Sequence, residues 1–256
     1  IPKDKGPISL SYSSSRDDVL DISNIGFTGD ALHGPQYVDK EFSNYAYSIM
    51  SIDPSGRGAD EMGYSVIKYL HGRIYVMACG GMQGGYQMEN LVKLAQIAKE
   101  YQVNTMYIES NFGDGMFDQL LRPVLKKVYP VSIEEVRSSK QKELRIIDTM
   151  EPLMNQHKLV FDAGMVRADI KHSLMDPQKM PYGLMYQLTH ITRTRGCLGH
   201  DDRLDALAIA LAAIVETVGI DEDEAYAEFK DQQLQEELDA FIGNVKNPRW
   251  TIGIQG

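Results

Sequence analysis

Cysteine is nearly absent: Cys79 and Cys197 are the only two among 256 residues. That excludes a disulfide framework and a thiolate zinc site, and two thiols so far apart read as small apolar side chains in a reducing compartment. No run approaches the ~18 consecutive apolar residues of a membrane span, and no signal-peptide pattern stands at the N-terminus. No Gly-x-x-x-x-Gly-Lys-Ser/Thr occurs, so the chain is not expected to bind or hydrolyse ATP through a phosphate loop. Gly80-Gly-Met-Gln-Gly-Gly85 lacks the Lys-Ser/Thr partner and reads as a flexible strand-to-helix connection. There are no internal repeats. The first residue is Ile1 rather than Met, as expected of a segment of a longer polypeptide.

Apolar residues make up 43% and charged residues 24%, which suits a well-cored domain. The net charge of -10 is uneven, because residues 221–239 hold four Asp and five Glu against Lys230, a net of -8 that leaves -2 for the rest. Overall acidity therefore describes a tail and leaves room for a local basic track. Within that tail Ala225, Phe229, Leu234, Leu238 and Phe241 suggest one apolar stripe. Residues 1–42 lack sustained periodicity and read as a linker or extended arm, residues 43–220 as the domain, and residues 221–256 as an acidic C-terminal tail.

From Tyr45 onward the periodicity becomes regular. β-branched and aromatic runs predict strands over 45–53, 62–70, 73–79, 103–109, 131–136 and 158–161. Apolar spacing of three and four predicts helices over 86–101, 114–127, 139–156 and 202–218. Met88, Leu91, Leu94, Ala95 and Ala98 form one stripe of the first. Ser138, with Gln141 three residues on, gives the third a capping-box start. Short turns join the first three strands into an antiparallel meander, whereas the later alternation requires parallel crossovers. The expected fold is α/β: a mixed central sheet flanked by helices, in the order of the ribonuclease H-like fold.

Acidic residues at three places, remote in sequence, end or open the apolar segments. Asp53 closes the run Ala46–Ile52, Glu109 closes Asn104–Ile108, and Asp201 and Asp202 open the stretch that continues through Asp205 to Val218. Asp53 alone would serve as a turn initiator, and one aspartate before a helix as its cap. One cap needs one carboxylate, however, and His200, Asp201, Asp202 and Asp205 cluster. Glu109 at the end of a buried strand needs a cation beside it. Oxygen ligands of this kind suit Mg²⁺ or Mn²⁺, and two such ions roughly 4 Å apart hydrolyse phosphodiesters. Basic candidates for a phosphate-binding rim are Arg57, Arg137, Lys140, Lys142, Arg193 and Arg195. His200 reads as a phosphate contact or a structural residue.

Four segments occur in a fixed order: Ser-Ile-Asp53-Pro-Ser-Gly, Tyr-Ile-Glu109-Ser-Asn, Met150-Glu-Pro-Leu-Met154 and Gly-His-Asp-Asp202-Arg-Leu-Asp-Ala-Leu-Ala208. Together they resemble the nuclease domain of the phage terminase large subunit, in the short-tailed podophage branch where it is also called the DNA maturase large subunit. The resemblance covers about 45–215. It implies a metal-dependent DNA endonuclease that cuts concatemeric viral DNA during packaging. Asp53, Glu109 and Asp202 would be its catalytic metal ligands, with Asp201 and Asp205 as further metal positions.

It also implies double-stranded DNA as substrate and, as partners, the terminase small subunit, the ATPase domain of the full-length chain and the portal of the prohead, engaged through 221–256. The setting would be the cytoplasm of an infected bacterium. Another ribonuclease H-like enzyme, a junction resolvase or integrase, is the second enzymatic reading. A catalytically silent portal-docking module is the third.

Overall fold

The computed structural model describes residues 2–13, 15–23, 26–54, 61–110, 115–137 and 140–219. Two compact units divide the chain, Ile1–Ile214 and Val215–Gly256. Four short strands come first: β1 (Lys5–Pro7), β2 (Leu10–Ser11), β3 (Tyr37–Val38) and β4 (Phe42–Asn44). A meander follows: β5 (Tyr47–Asp53), β6 (Met62–Leu70) and β7 (Arg73–Met82). Then come α1 (Met88–Glu100), β8 (Thr105–Glu109), α2 (Met116–Val128), β9 (Ser132–Val136), α3 (Lys142–Asn155) and β10 (Leu159–Phe161). Helices α4 (Ala163–Met175), α5 (Leu184–His190) and α6 (202–219) complete the order.

Six strands form the central sheet in the order β10-β7-β6-β5-β8-β9. β5, β6 and β7 are antiparallel neighbours, while β8 joins β5, β9 joins β8 and β10 joins β7 in parallel. The expected meander and crossovers are both present. β5 is central and buried along nearly its whole length, so both its faces need apolar cover. Met50 and Ile52 of β5 and Met106 and Ile108 of β8 share a core with Leu91 and Leu94 of α1 and Phe117 and Leu121 of α2. Side chains alternate along a strand, so Ser51 and Asp53, with Tyr107 and Glu109, face the other side. There α6 crosses: the Ser51 hydroxyl donates to the Ala206 carbonyl. Leu204 and every residue from Ala206 to Leu211 are buried, as expected of a helix packed on nearly all sides.

Four differences from the sequence expectations have physical causes. The third helix starts at Lys142 with Gln141 as its cap residue and no side-chain cap bond, later than expected, and Ser138 of the expected capping box lies outside the described residues. Met88 is exposed, and Ile97 joins the buried stripe of α1 in its place. The first 42 residues are not a free arm. β1 pairs with β4 and β2 with β3, and Leu10 packs with Leu70, Tyr75, Met77 and Val160. Finally α4 and α5 went unread, because the buried face of α4 carries Asp169 and Ser173 among its apolar residues and so blunts the periodicity.

Candidate metal centre

Ile52 of β5 pairs with Ile108 of β8 in parallel, so Asp53 and Glu109 follow each other at the same end of adjacent strands. α6 brings Asp205 across that end, one residue before the Ala206 carbonyl that binds Ser51. The result is a group of three buried carboxylates, Asp53, Glu109 and Asp205, whose ligand oxygens lie within 4.8 Å of one another. Burial pushes the Asp53 carboxyl well above its ordinary value; Lys142 opposes that shift, and Asp205, Glu109 and Asp202 add to it. Glu109 is raised too, by burial and then by Asp205, against the pull of Arg145 and Lys142.

Two cations from α3 reach into this acidic group. Lys142 Nζ stands 3.3 Å from Asp53 Oδ2, 2.9 Å from Asp201 Oδ1 and 2.9 Å from Asp205 Oδ2. Arg145 Nη2 lies 2.6 Å from Asp205 Oδ1 and 3.5 Å from Glu109 Oε1. Lys142 was expected on the DNA rim; it is drawn instead into the carboxylates, which hold its ammonium above the ordinary lysine range despite burial. Arg145 was missed in the sequence. Its signal was its place three residues after Lys142, on the same helical stripe.

The donor set fits a hard divalent cation. All three groups offer only carboxylate oxygen, and no thiolate or imidazole stands among them. Asp205 Oδ2 is buried with no hydrogen-bond donor among the described residues, and Lys142 Nζ meets it as an ion pair at 2.9 Å. An oxygen in that condition has a lone pair to give.

The other expected residues are distributed around this group. Asp202 opens α6 beside β6 and acts on Asp53 through its charge, but it is not one of the three that meet; Asp205, expected as a further metal position, is. Asp201 joins through Lys142. Lys140 and Arg195 line a cavity of about 460 Å³ with Gln141, Lys142 and Glu143. Glu143 accepts from the Gly196 amide and so ties the 191–201 loop to α3. Arg137 donates to the Ser110 hydroxyl at 3.2 Å, next to Glu109. Arg193 instead pairs with Asp148 and Glu151 on the outside of α3. His200 stacks on Tyr182 at 3.7 Å. Arg57 and the acidic tail lie outside the described residues.

Residues 52–159 match the family model described as the terminase of bacteriophage T7, ribonuclease H-like domain. The large terminase subunit of Enterobacteria phage T3 is 38% identical over 239 residues, which is 92% of this chain and 41% of that protein. The chain thus spans about two fifths of the length of that curated relative. Among solved structures, the human cytomegalovirus terminase nuclease domain, Mn soaked and inhibitor bound, is 13% identical with a TM-score of 0.47, covering 65% of this chain and 82% of that one. The large terminase nuclease from thermophilic phage G20c is 16% identical with a TM-score of 0.44, covering 65% and 81%.

Proposed function

We propose, because residues 52–159 match the terminase ribonuclease H-like domain model, that this chain is the metal-dependent endonuclease of a viral genome-packaging terminase. The observation that carries the reading is the meeting of Asp53, Glu109 and Asp205 from two strand ends and a helix start. These three would hold two Mg²⁺ or Mn²⁺ ions, with Asp201 and Asp202 as nearby acidic groups. Bound divalent ions supply an acidified water as nucleophile and charge stabilisation at the leaving 3′-oxygen.

The remaining work falls to the protein's own side chains. The strand ends of β5 and β8 fix two carboxylates on a rigid sheet, so their separation is set before substrate arrives. Arg145 holds Asp205 and Glu109 in register. Lys140 and Arg195, which line a cavity with Lys142, suit the phosphates of double-stranded DNA, since a polyanion needs cations around an acidic centre. Replacing both with glutamine should weaken DNA binding for all sequences alike and flatten its salt dependence.

The test is incubation of the chain with supercoiled and linear DNA, with Mg²⁺ or Mn²⁺ and with a chelator. Cleavage that needs the metal and disappears in Asp53→Asn supports the reading. Metal-dependent cutting retained by that variant refutes it. Partners are proposed on the same footing: the packaging motor's other parts, with the portal engaged through 221–256, in the host-cell cytoplasm. Among the described residues no helix is long and apolar enough to cross a membrane. Deleting 221–256 should spare DNA cutting and abolish portal binding; unchanged portal binding would count against the tail's role.

A further inference from the structure

Between Asp202 and Asp205 stands an arginine that the chemistry above leaves unused. Arg203 is 8% exposed, and its guanidinium engages carboxylates other than the three of the metal centre. Its Nε donates to Glu61 Oε1 at 2.6 Å, Nη2 to Glu61 Oε2 at 3.3 Å and Nη1 to Asp169 Oδ1 at 3.1 Å. Both carboxylates are buried. Asp169 is itself held by the backbone amides of Leu184 and Met185, at 3.0 and 2.9 Å. Glu61 lies over the backbone of β7, where a β-carbon on Gly81 would stand 2.0 Å from its Cδ. The residue leading into β6, α4 and α6 are thereby joined through one fork of donors.

The helical repeat decides what this clamp can do. Successive residues turn by roughly 100° about the axis, so positions 203 and 205 point to opposite sides of α6. A grip on one side sets how far round the axis the other side faces. The Gln187 side chain also accepts from the Leu204 amide at 2.9 Å, which fixes the same turn from a third direction. A buried ion cluster adds little net stability over an apolar core of equal volume, whereas it fixes geometry where a unique arrangement is needed. Metal ligands are such a case, since they must be held to within about 0.5 Å.

We propose, on the reading of Asp53, Glu109 and Asp205 as metal ligands, that Arg203 is a positioning residue of that centre. Its fork onto Glu61 and Asp169 sets the rotation of α6 and so presents Asp205 to the two strand-end carboxylates. The experiment measures Mn²⁺ affinity by titration calorimetry, with thermal melts in chelator, for the wild-type chain and two variants. Arg203→Lys keeps the charge and loses the fork. The triple variant Arg203→Met, Glu61→Gln, Asp169→Asn removes every charge of the clamp and leaves none orphaned.

Arg203→Lys should melt as a folded protein and bind Mn²⁺ about tenfold more weakly, with kcat for DNA cleavage falling and KM for DNA held. The triple variant should approach the wild-type Tm without regaining Mn²⁺ affinity. Wild-type Mn²⁺ affinity in Arg203→Lys would overturn the proposal, as would its recovery in the triple variant along with stability. If the wild-type chain itself binds no Mn²⁺, the metal reading fails, and Arg203 has nothing to position.

Discussion

The carbonyl of Asp202 presses on the α-carbon of Gly63, so closely that a β-carbon at residue 63 would lie 2.1 Å from that oxygen. Gly63 pairs with Asp53 across β5 and β6. One missing side chain therefore lets α6 start against the sheet beside the first acidic strand end. Gly63→Ala sets a methyl against backbone, which cannot swing aside. It should destabilise the fold by roughly 3 kcal/mol or more, and among folded molecules Mn²⁺ affinity should drop as α6 is pushed off. Thermal melts and Mn²⁺ titration of the variant check this; a wild-type melting curve would contradict the contact.

The identity of the helix-borne ligand can be settled by two conservative variants. Asp205→Asn should lower Mn²⁺ affinity roughly a hundredfold, because it removes a charge that touches the ion. Asp202→Asn should lower it by less than about tenfold, as a nearby charge does. Calorimetric titration of both under one buffer gives the ranking. The reverse ranking would return the ligand role to Asp202.

Lys142 pairs with oxygens of Asp53 and Asp205 that a divalent cation bound to them would need. Lys142→Met removes the competitor, so Mn²⁺ should bind about fivefold more tightly or better, in the range of ordinary coupling energies. In chelator the same variant should melt at a lower temperature, because the carboxylates then repel without a counter-charge. An unchanged Mn²⁺ affinity would show that Lys142 and metal occupy the pocket independently.

Stability in chelator should fall as pH rises. Asp53 and Glu109 have ordinary values of 3.8 and 4.5, and both are raised in the fold, chiefly by burial. Between the ordinary and the raised values the folded chain therefore binds more protons than the unfolded one. The stabilisation is complete below the ordinary values and is lost as pH climbs through the raised ones. Metal binding takes the deprotonated form, so Mn²⁺ affinity should rise over the same window. Melting temperature and Mn²⁺ affinity, followed from the carboxylate range to neutrality, should move in opposite directions. Parallel movement would mean the carboxyls are not raised.

Much of the fold was legible in the amino-acid order because local rules governed it. The runs around Met62–Leu70 and Thr105–Glu109 are β-branched and aromatic, and their strands lie where those runs do. The small residues of α6 announced a helix lying close on a sheet, and the Ser51–Ala206 contact is that approach. The acidic ends of β5 and β8 were visible for the same reason: a carboxylate after an apolar run stands out against its neighbours.

What the chain order could not decide was rotation and pairing. Asp202 and Asp205 belong to one short motif, and which of them meets the strand-end carboxylates depends on how α6 turns about its axis, a turn on which Gly63, Glu61 and Asp169 bear from remote positions. Lys142 and Arg145 carry ordinary surface charges in the sequence. Only the packing of α3 beside the strand ends turned them inward to the carboxylates. Secondary structure follows from neighbours along the chain, whereas the electrostatics of a centre follow from neighbours in space, and those were set when the sheet closed under α6.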